Sequence, residues 1–342
     1  MMELVRCDPR DWDRAVDDQP RATVFHRRDW LDVIAAASGA EFHLFRFVRN
    51  GSTIGIAPLF FFRRGPFRLA ASPPPQASAP YLGPLVDDSL AVAALAAMSG
   101  EAHRRSAAYF EARIDHELPL DELRAAGFEV ESRATYILDL AAGSDALWSQ
   151  KLNSGCRRAV RKAESSGVTV ESVQLETFVE RYYEMAASVF AKWKRKPPLA
   201  LSDYQRIARL QQTSDCVEVF AARHGDAIVA AGIFPHDKSA VYYLDGVSDP
   251  EGQAVRPNNL LHWHVIQWAT KAGLRRYDMV GAGIPGVARF KETFGPSLVP
   301  YTYAFQTLSP IAAFARSAYA RLAPGLRALQ YAFARGRRSD RS

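Results

Sequence analysis

The clearest pattern in the chain is an apolar periodicity in its last third. Residues 258–272 place an apolar side chain on one helical face at each turn, and the members of this face are Leu261, Val265 and Trp268. Asn258 or Asn259 is predicted to cap the start of the helix, because a side-chain oxygen there accepts a free backbone N–H. Gly273 follows the last turn, which is a position typical of glycine.

A short strand, a glycine loop and a lysine follow this helix. The strand is predicted to end at Tyr277-Asp278-Met279-Val280, and Lys291 comes directly after Phe290 beyond the loop. A strand end fixes the position of a side chain, and a helix start offers unpaired N–H groups to an anion. We therefore expect residues 254–295 to carry the functional site.

The same order of elements occurs twice along the chain. Strand–turn–strand patterns surround Gly51 and Gly225, and the first contains Asn-Gly, a strong hairpin signal. A helix and a strand follow each turn, at 89–106 and 109–114 in the first case and at 258–272 and 275–280 in the second. This repetition predicts an α/β protein of two tandem units with mixed sheets, 1–134 and 135–310, the second carrying the active site.

A helix between the two units carries a face of cations. It is predicted to start at Ser144, with a break at Gly155. After the break, residues at a spacing of four share one face: Arg157 with Arg161, and Arg158 with Lys162. Together with 192–196 this face is predicted to bind phosphates of charged tRNA, of a nucleotide-linked precursor or of anionic lipid, because arginine binds phosphate bidentately. The alternative is an ordinary solvated face.

Composition narrows the class of protein. The 342 residues are 48% hydrophobic and 23% charged, as in globular proteins. No run of eighteen apolar residues is present, so no membrane-spanning helix is expected. The first residues have no apolar signal segment, and the three cysteines are scattered (Cys7, Cys156 and Cys216), so we expect a reduced, cytoplasmic setting.

The positive charge is concentrated at the C-terminal end. Residues 311–342 hold seven arginines and one acid, which accounts for the whole net charge of +6. The rest of the chain is neutral overall, so no DNA partner is expected. The tail is predicted to be a basic amphipathic segment that contacts the inner face of a membrane, or alternatively one that docks on the second unit.

Several of these segments resemble the Fem-type aminoacyltransferases and the related BioF2-like acyltransferases of the GNAT superfamily. The motifs that carry the resemblance are Arg256-Pro-Asn-Asn-Leu-Leu, Arg276-Tyr-Asp-Met and Arg289-Phe-Lys-x-x-Phe-Gly295, with a further similar segment at 156–168. The similarity covers most of residues 24–305. It implies two GNAT-like units in tandem and an acyltransferase that requires no cofactor beyond its acyl donor.

The resemblance also implies roles for individual residues. The lysine that matches Lys291 lies beside the reacting aminoacyl ester in Fem-type enzymes, so Lys291 is expected to polarise the acyl carbonyl. Asp278 or Asp245 is expected to orient or deprotonate the attacking amine, although either could simply bond to a neighbouring turn. Residues expected to shape the substrate site are Phe290, Arg256, Asn258 and Asn259. No metal is expected, because His262 and His264 would point to opposite sides of a helix.

The segment before the helix at 258–272 bears on the identity of the acyl donor. GNAT enzymes that use coenzyme A usually hold its pyrophosphate on a glycine-rich loop, whereas residues 253–259 contain proline and no glycine. This favours aminoacyl-tRNA over acyl-CoA as the donor. The function we expect is transfer of an aminoacyl or acyl group to an amine of a peptidoglycan or polysaccharide precursor. The alternatives are a CoA-dependent N-acyltransferase and a non-catalytic accessory protein of envelope assembly.

Overall fold

A computed structural model describes residues 2–75, 77–191 and 196–311. The predicted basic tail from 312 onward and the cations at 192–195 lie outside the described residues.

Strands and helices alternate along the described chain. The strands are β1 Glu3–Arg6, β2 Glu41–Arg49, β3 Ser52–Arg64, β4 Phe67–Ser72, β5 Leu85–Val86, β6 Tyr109–Ile114, β7 Glu129–Asp139, β8 Val168–Ser172, β9 Val217–His224, β10 Ala227–Pro235, β11 Ala240–Tyr242, β12 Asp245–Ser248, β13 Arg276–Asp278 and β14 Ser297–Thr307. The helices are α1 Pro9–Asp17, α2 Arg28–Ser38, α3 Ala91–Arg104, α4 Leu120–Ala125, α5 Gly143–Ala146, α6 Ser154–Ser165, α7 Val179–Ala191, α8 Leu201–Thr213, α9 Pro257–Lys271 and α10 Pro285–Glu292.

The strands form two sheets. In the large sheet the order is β1-β2-β3-β4-β6-β14-β7-β13-β11, with β5 paired to β3, and in the small sheet it is β12-β10-β9-β8. Strands β4 and β6 run parallel, as do β11 and β13, while their other neighbours are antiparallel. The predicted α/β class with mixed sheets is confirmed.

The predicted repetition is also present. Hairpin β2–β3 turns at Asn50-Gly51, where both residues have positive φ, and hairpin β9–β10 turns at Gly225, which also has positive φ. Helix α3 followed by β6 corresponds to helix α9 followed by β13. In both places glycine supplies a backbone conformation that other residues adopt only with strain.

The large sheet joins the two halves of the chain. Strand β14 lies between β6 and β7 and pairs with both, and β7 runs through the predicted boundary at 134/135. One hydrophobic core also contains residues from both halves, so that the rings of Phe25 and Tyr242 meet at 4.9 Å. The division into units at that position stays a prediction.

Three predicted helix boundaries lie at other residues in the structure: the cap at Asn258 or Asn259, the cap at Ser144 and the break at Gly155. Helix α9 begins at Pro257 after Arg256, so Asn258 and Asn259 lie in its first turn and do not cap it. Proline suits the first helical position because its φ is already fixed there. Helix α5 has no side-chain cap from Ser144, and the break falls at 152–153, where Asn153 Oδ1 accepts the Cys156 N–H at 2.7 Å to start α6.

Helix α9 contributes much of the hydrophobic core of the second half. It packs its apolar residues against the small sheet and is closed by Gly273 at positive φ, as predicted. Within the described ranges, none of the helices is both long and apolar enough to cross a bilayer.

Candidate active site

Two strands of the large sheet separate at the centre of the second half. Strands β11 and β13 pair in parallel for three residues, the last pair being Tyr242 with Asp278. One more bond, from Tyr243 N–H to the Asp278 carbonyl (2.8 Å), closes the ladder. The chain then leaves for the small sheet as β12, which pairs with β10. This opening lies at the β11 edge of the large sheet, where backbone and side-chain groups can contact a bound molecule.

Lys291 lies at this opening. Its side chain comes from α10, is only 4% exposed, and donates from Nζ to the carbonyl oxygens of Val280 (2.6 Å) and Gly281 (2.9 Å). Burial lowers the pKa of the ammonium to about 8, and the charge of Asp278 opposes this shift. Lys291 is therefore a buried cation with one proton left for a further partner, since an ammonium carries three.

The turn that receives Lys291 has an unusual backbone. Val280 has a φ of +50° and Gly281 a φ of +74°. A β-branched residue at positive φ is strained by about 1–3 kcal/mol, and such residues occur mainly at functional sites. In this backbone conformation the carbonyl oxygens of Val280 and Gly281 both accept from Lys291 Nζ.

Asp278 is enclosed beneath that turn. Its carboxylate is 1% exposed; Oδ1 accepts from Thr135 Oγ1 (2.7 Å) and from Val280 N (2.8 Å), and Oδ2 accepts from Tyr81 Oη (3.2 Å). Burial raises the pKa of Asp278, and the bonds from Thr135 and Val280 oppose the rise. Both oxygens are thus already bonded within the protein, which suits a group that holds the turn in place.

Asp245 has the more open position of the two carboxylates. It begins β12 just past the opening and is half-buried, and its Oδ2 accepts from Tyr204 Oη (2.7 Å) and Tyr182 Oη (3.2 Å). Both tyrosines are fully buried. Burial raises the pKa of Asp245, and the two hydroxyl bonds oppose that change.

A cluster of aromatic rings surrounds His262 next to Lys291. Tyr243 lies 4.5 Å from the His262 ring between centroids, and Phe290 lies 5.2 Å from it. The ring of Tyr243 is in turn 5.9 Å from Lys291 Nζ. His262 shares a 2.6 Å hydrogen bond with Tyr277 Oη, and burial, together with the charge of Lys291, lowers its pKa to about 3. His262 is therefore neutral near pH 7. Phe290, whose ring contacts that of His262, is half-buried.

The start of α9 presents few free backbone donors. Arg256 is exposed with a φ of +59°, and Asn258 and Asn259 are half-buried. The N–H groups of 253, 256 and 259 already bond to carbonyls of the preceding turn, and Pro257 has none. Asn259 Nδ2 reaches Cys156 Sγ at 3.7 Å, which places the start of α9 against α6.

The four predicted cations of α6 have different surroundings. Arg157 donates to the carbonyl oxygens of Trp148 (3.2 Å), Ser149 (3.3 Å) and Leu152, so it stabilises the π-helical turn Leu147–Lys151. Arg161 stacks over the ring of Trp148 at 5.5 Å. Arg158 and Lys162 are exposed. Over the described ranges none of these four forms an ion pair.

Sequence reasoning did not single out the groups that position the site. These groups come from separate parts of the chain and approach the site only when it folds; they are Thr135, Tyr81, Tyr182, Tyr204 and His262. Only His262 had a local signal, since it belongs to the predicted helix next to the motif Arg256-Pro-Asn-Asn. The pairing of β7 with β13, which brings Thr135 to Asp278, has no local signature.

Comparisons with known proteins identify the domain type. Residues 150–292 match the family described as acetyltransferase (GNAT) domain. No curated protein is similar to the chain by sequence. The predicted GNAT-type fold and the acyltransferase class are confirmed by this match.

Solved structures extend the likeness in fold to nearly the whole chain. FemX superposes with a TM-score of 0.70 at 17% identity, covering 88% of this chain and 96% of its own. The C-terminal domain of a putative lysylphosphatidylglycerol synthetase from Agrobacterium fabrum gives 0.58 at 15% identity, covering 92% and 96%. A tandem GNAT protein from the clavulanic acid biosynthesis pathway gives 0.54 at 12% identity, covering 91% and 99%.

Proposed function

We propose that this chain, whose residues 150–292 are a GNAT acyltransferase domain, transfers an aminoacyl group from aminoacyl-tRNA to an amine of a cell-envelope precursor. The observation that carries the proposal is Lys291, a buried ammonium fixed by two carbonyl oxygens at the opening between β11 and β13. A preorganised cation at that point can stabilise the negative charge that develops on an acyl oxygen.

The reaction needs an electrophile and a neutral amine. In the proposed step the amine nitrogen attacks the ester carbonyl, and the third Lys291 proton hydrogen-bonds to the oxyanion. The C–O bond to the tRNA ribose then breaks as the amide forms, and the ribose oxygen takes up the proton that the amine has lost. One such stabilising group is typically worth ~3 kcal/mol in the barrier.

The proton lost by the amine goes to Asp245 in this proposal. Burial raises the pKa of both Asp245 and Asp278, which makes each a better base than an ordinary surface carboxylate. Asp245 is the half-buried one of the two, whereas Asp278 is enclosed with both oxygens bonded inside the protein. Asp278 is assigned instead to holding the 280–281 turn.

The surroundings of α9 support tRNA over coenzyme A as donor. The N–H groups of 253, 256 and 259 are used in the preceding turn, so few remain to bind a pyrophosphate. The exposed Arg158 and Lys162 are free of ion pairs within the described residues, and such cations are available to phosphates of RNA. Arg256, Asn258 and Asn259 would contact the acceptor end of the tRNA, with Phe290 beside the aminoacyl group.

The acceptor is proposed from the resemblance to Fem-type enzymes. The Fem-type motifs around Lys291 point to an amine of an envelope precursor. One structural relative is named for lysylphosphatidylglycerol synthesis, which agrees with an envelope product. A CoA-dependent N-acyltransferase is the second candidate, favoured by the match to an acetyltransferase domain.

Thermal unfolding with three separate ligands tests the donor: aminoacylated bulk tRNA, the same tRNA after deacylation, and acetyl-CoA. A ligand at 100 times its Kd stabilises the folded state by ~2.7 kcal/mol, a rise of a few degrees in Tm. We expect aminoacylated tRNA to raise Tm most. A rise with acetyl-CoA alone would overturn the tRNA assignment in favour of the second candidate.

A pair of double variants separates a specific cation face from general charge. Arg158→Ala with Lys162→Ala should weaken tRNA binding. The number of phosphate contacts obtained from the salt dependence of binding should fall by about two. The matched control, Arg63→Ala with Arg64→Ala, also removes two exposed cations, at the end of β3. Equal losses in both would contradict a role for α6.

A further inference from the structure

Thr135 connects the strained turn to the carboxylate beneath it. Its Oγ1 donates to Asp278 Oδ1 at 2.7 Å and accepts from Gly281 N–H at 3.1 Å. The side chain is 1% exposed and comes from β7, far from Gly281 in the sequence. One hydroxyl thus uses its single proton and a lone pair on two groups of the same turn.

The backbone N–H groups of this turn and its carbonyl groups bind different side chains. Val280 and Gly281 both have positive φ, and each uses its N–H group and its carbonyl group on different partners. The N–H groups are bound by Asp278 Oδ1 and Thr135 Oγ1. The carbonyl groups bind Lys291 Nζ. Bonds to the N–H groups therefore fix the direction of the carbonyl acceptors.

A β-branched residue does not keep positive φ without such bonds. The left-handed conformation is costly for valine, and it persists only where surrounding structure holds it. In this turn the holding groups are the carboxylate and the hydroxyl, both buried and both fixed to β13 and β7 by the sheet.

We infer that Thr135 is a positioning residue of the acyltransferase: with Asp278 it holds Val280 and Gly281 so that their carbonyls aim the Lys291 ammonium into the opening between β11 and β13. This rests on the proposed role of Lys291. It adds a residue of β7, the strand that runs through the predicted boundary between the two units, to a site in which Tyr81 already comes from the first half of the chain.

Thr135→Val removes the hydroxyl at nearly constant volume. The first readout needs no substrate: hydrogen exchange of the backbone segment 279–284, and acetylation of Lys291 by trace acetic anhydride relative to the exposed Lys271. We expect exchange to rise about tenfold, as local opening becomes easier, and Lys291 to react faster. Thr135→Ser, which keeps the hydroxyl, should restore both values.

Thr302 offers a matched control. It is a fully buried threonine on β14, and its Oγ1 accepts the Leu118 N–H at 2.8 Å. Thr302→Val removes a comparable bond away from the turn and should leave the labelling of Lys291 unchanged. If Thr135→Val does not fold, Thr135→Cys is measured instead, because a thiol is only a weak donor and acceptor.

The second readout is turnover with whichever acyl donor the wild-type protein uses. Thr135→Val should lower kcat by about ten- to a hundredfold with little change in the KM of the donor, because misplacement of a catalytic group by a fraction of an ångström has that effect. Labelling and exchange within twofold of wild type would overturn the inference. So would an altered turn with unchanged kcat, provided that Lys291→Met is inactive; if Lys291→Met stays active, the proposed function itself fails.

Discussion

At the scale of single residues, Lys291 determines how the site responds to pH. Burial lowers its pKa to about 8, so the ammonium loses its proton in an accessible range of pH. If the charged form stabilises the oxyanion, kcat should fall as pH rises through about 8. A lysine acting as a base would give the opposite limb, because only its neutral form accepts a proton.

Lys291→Met should remove this activity with little loss of side-chain length. We expect kcat to fall about a hundredfold or more, since one stabilising group of this kind has that effect. Lys271→Met, at the exposed end of α9, is the matched control and should keep full activity and the same pH profile. A basic limb that stays unchanged in a still active Lys291→Met protein would contradict the assignment.

His262 should make the fold sensitive to acid. Its pKa is lowered to about 3 in the folded protein, against about 6.5 unfolded, so between these values the unfolded chain binds more protons. Stability is therefore expected to fall as pH drops below about 6.5. At pH 5 the loss from this group is up to ~2 kcal/mol. Buried His26, with a pKa of about 4, adds a loss of the same sign.

Urea unfolding at pH 7, 6 and 5 measures this effect. His262→Gln keeps a hydrogen-bonding side chain toward Tyr277 but cannot be protonated, so its stability should change less between pH 7 and 5 than that of the wild type. The exposed His103→Gln should follow the wild-type curve. Parallel curves for His262→Gln and wild type would show that another group carries the acid sensitivity.

At the scale of elements, the sequence predicted what is local. The Asn50-Gly51 hairpin and helix α9 with Gly273 at its end follow from periodicity and turn chemistry. The strand that carries Asp278 was also predicted, over 275–280, and the structure has it at Arg276–Asp278. The exact helix starts do not follow from that periodicity, since α9 begins at Pro257 after Arg256 and α6 is capped by Asn153. The insertion of β14 between β6 and β7 was also missed, since pairing over such a separation leaves no periodic signal.

The turn after α10 explains the glycine that closes the Lys291 motif. Gly295 has a φ of +75°, and a Cβ there would overlap the carbonyl oxygen of Lys151 in the π-helical turn. Gly295→Ala should therefore destabilise the fold by about 2 kcal/mol or more, measured by urea unfolding. Gly286→Ala is the control: it lies within α10 with nothing near its Cβ and should be neutral or slightly stabilising. Equal effects would show that the contact with Lys151 is unimportant.

At the scale of the whole molecule, the two halves share their structure too closely to unfold separately. Strand β14, from the end of the second half, is paired on both sides with β6 and β7, and one core holds side chains from both halves. Losing either half would leave long strand edges and apolar side chains exposed to water. The candidate site also joins the two halves, because Tyr81 from the first half of the chain and Thr135 on β7 both donate hydrogen bonds to Asp278.

We therefore expect a single cooperative unfolding transition, with equal calorimetric and van't Hoff enthalpies. Two variants in separate cores test it: Leu95→Ala in α3 and Ile266→Ala in α9, each fully buried and each expected to cost ~2–5 kcal/mol. If the halves are one unit, both variants lower the same transition, and hydrogen exchange rises in both halves in either variant. Two transitions, each lowered by only one variant, would show that the shared strand and core do not couple the halves.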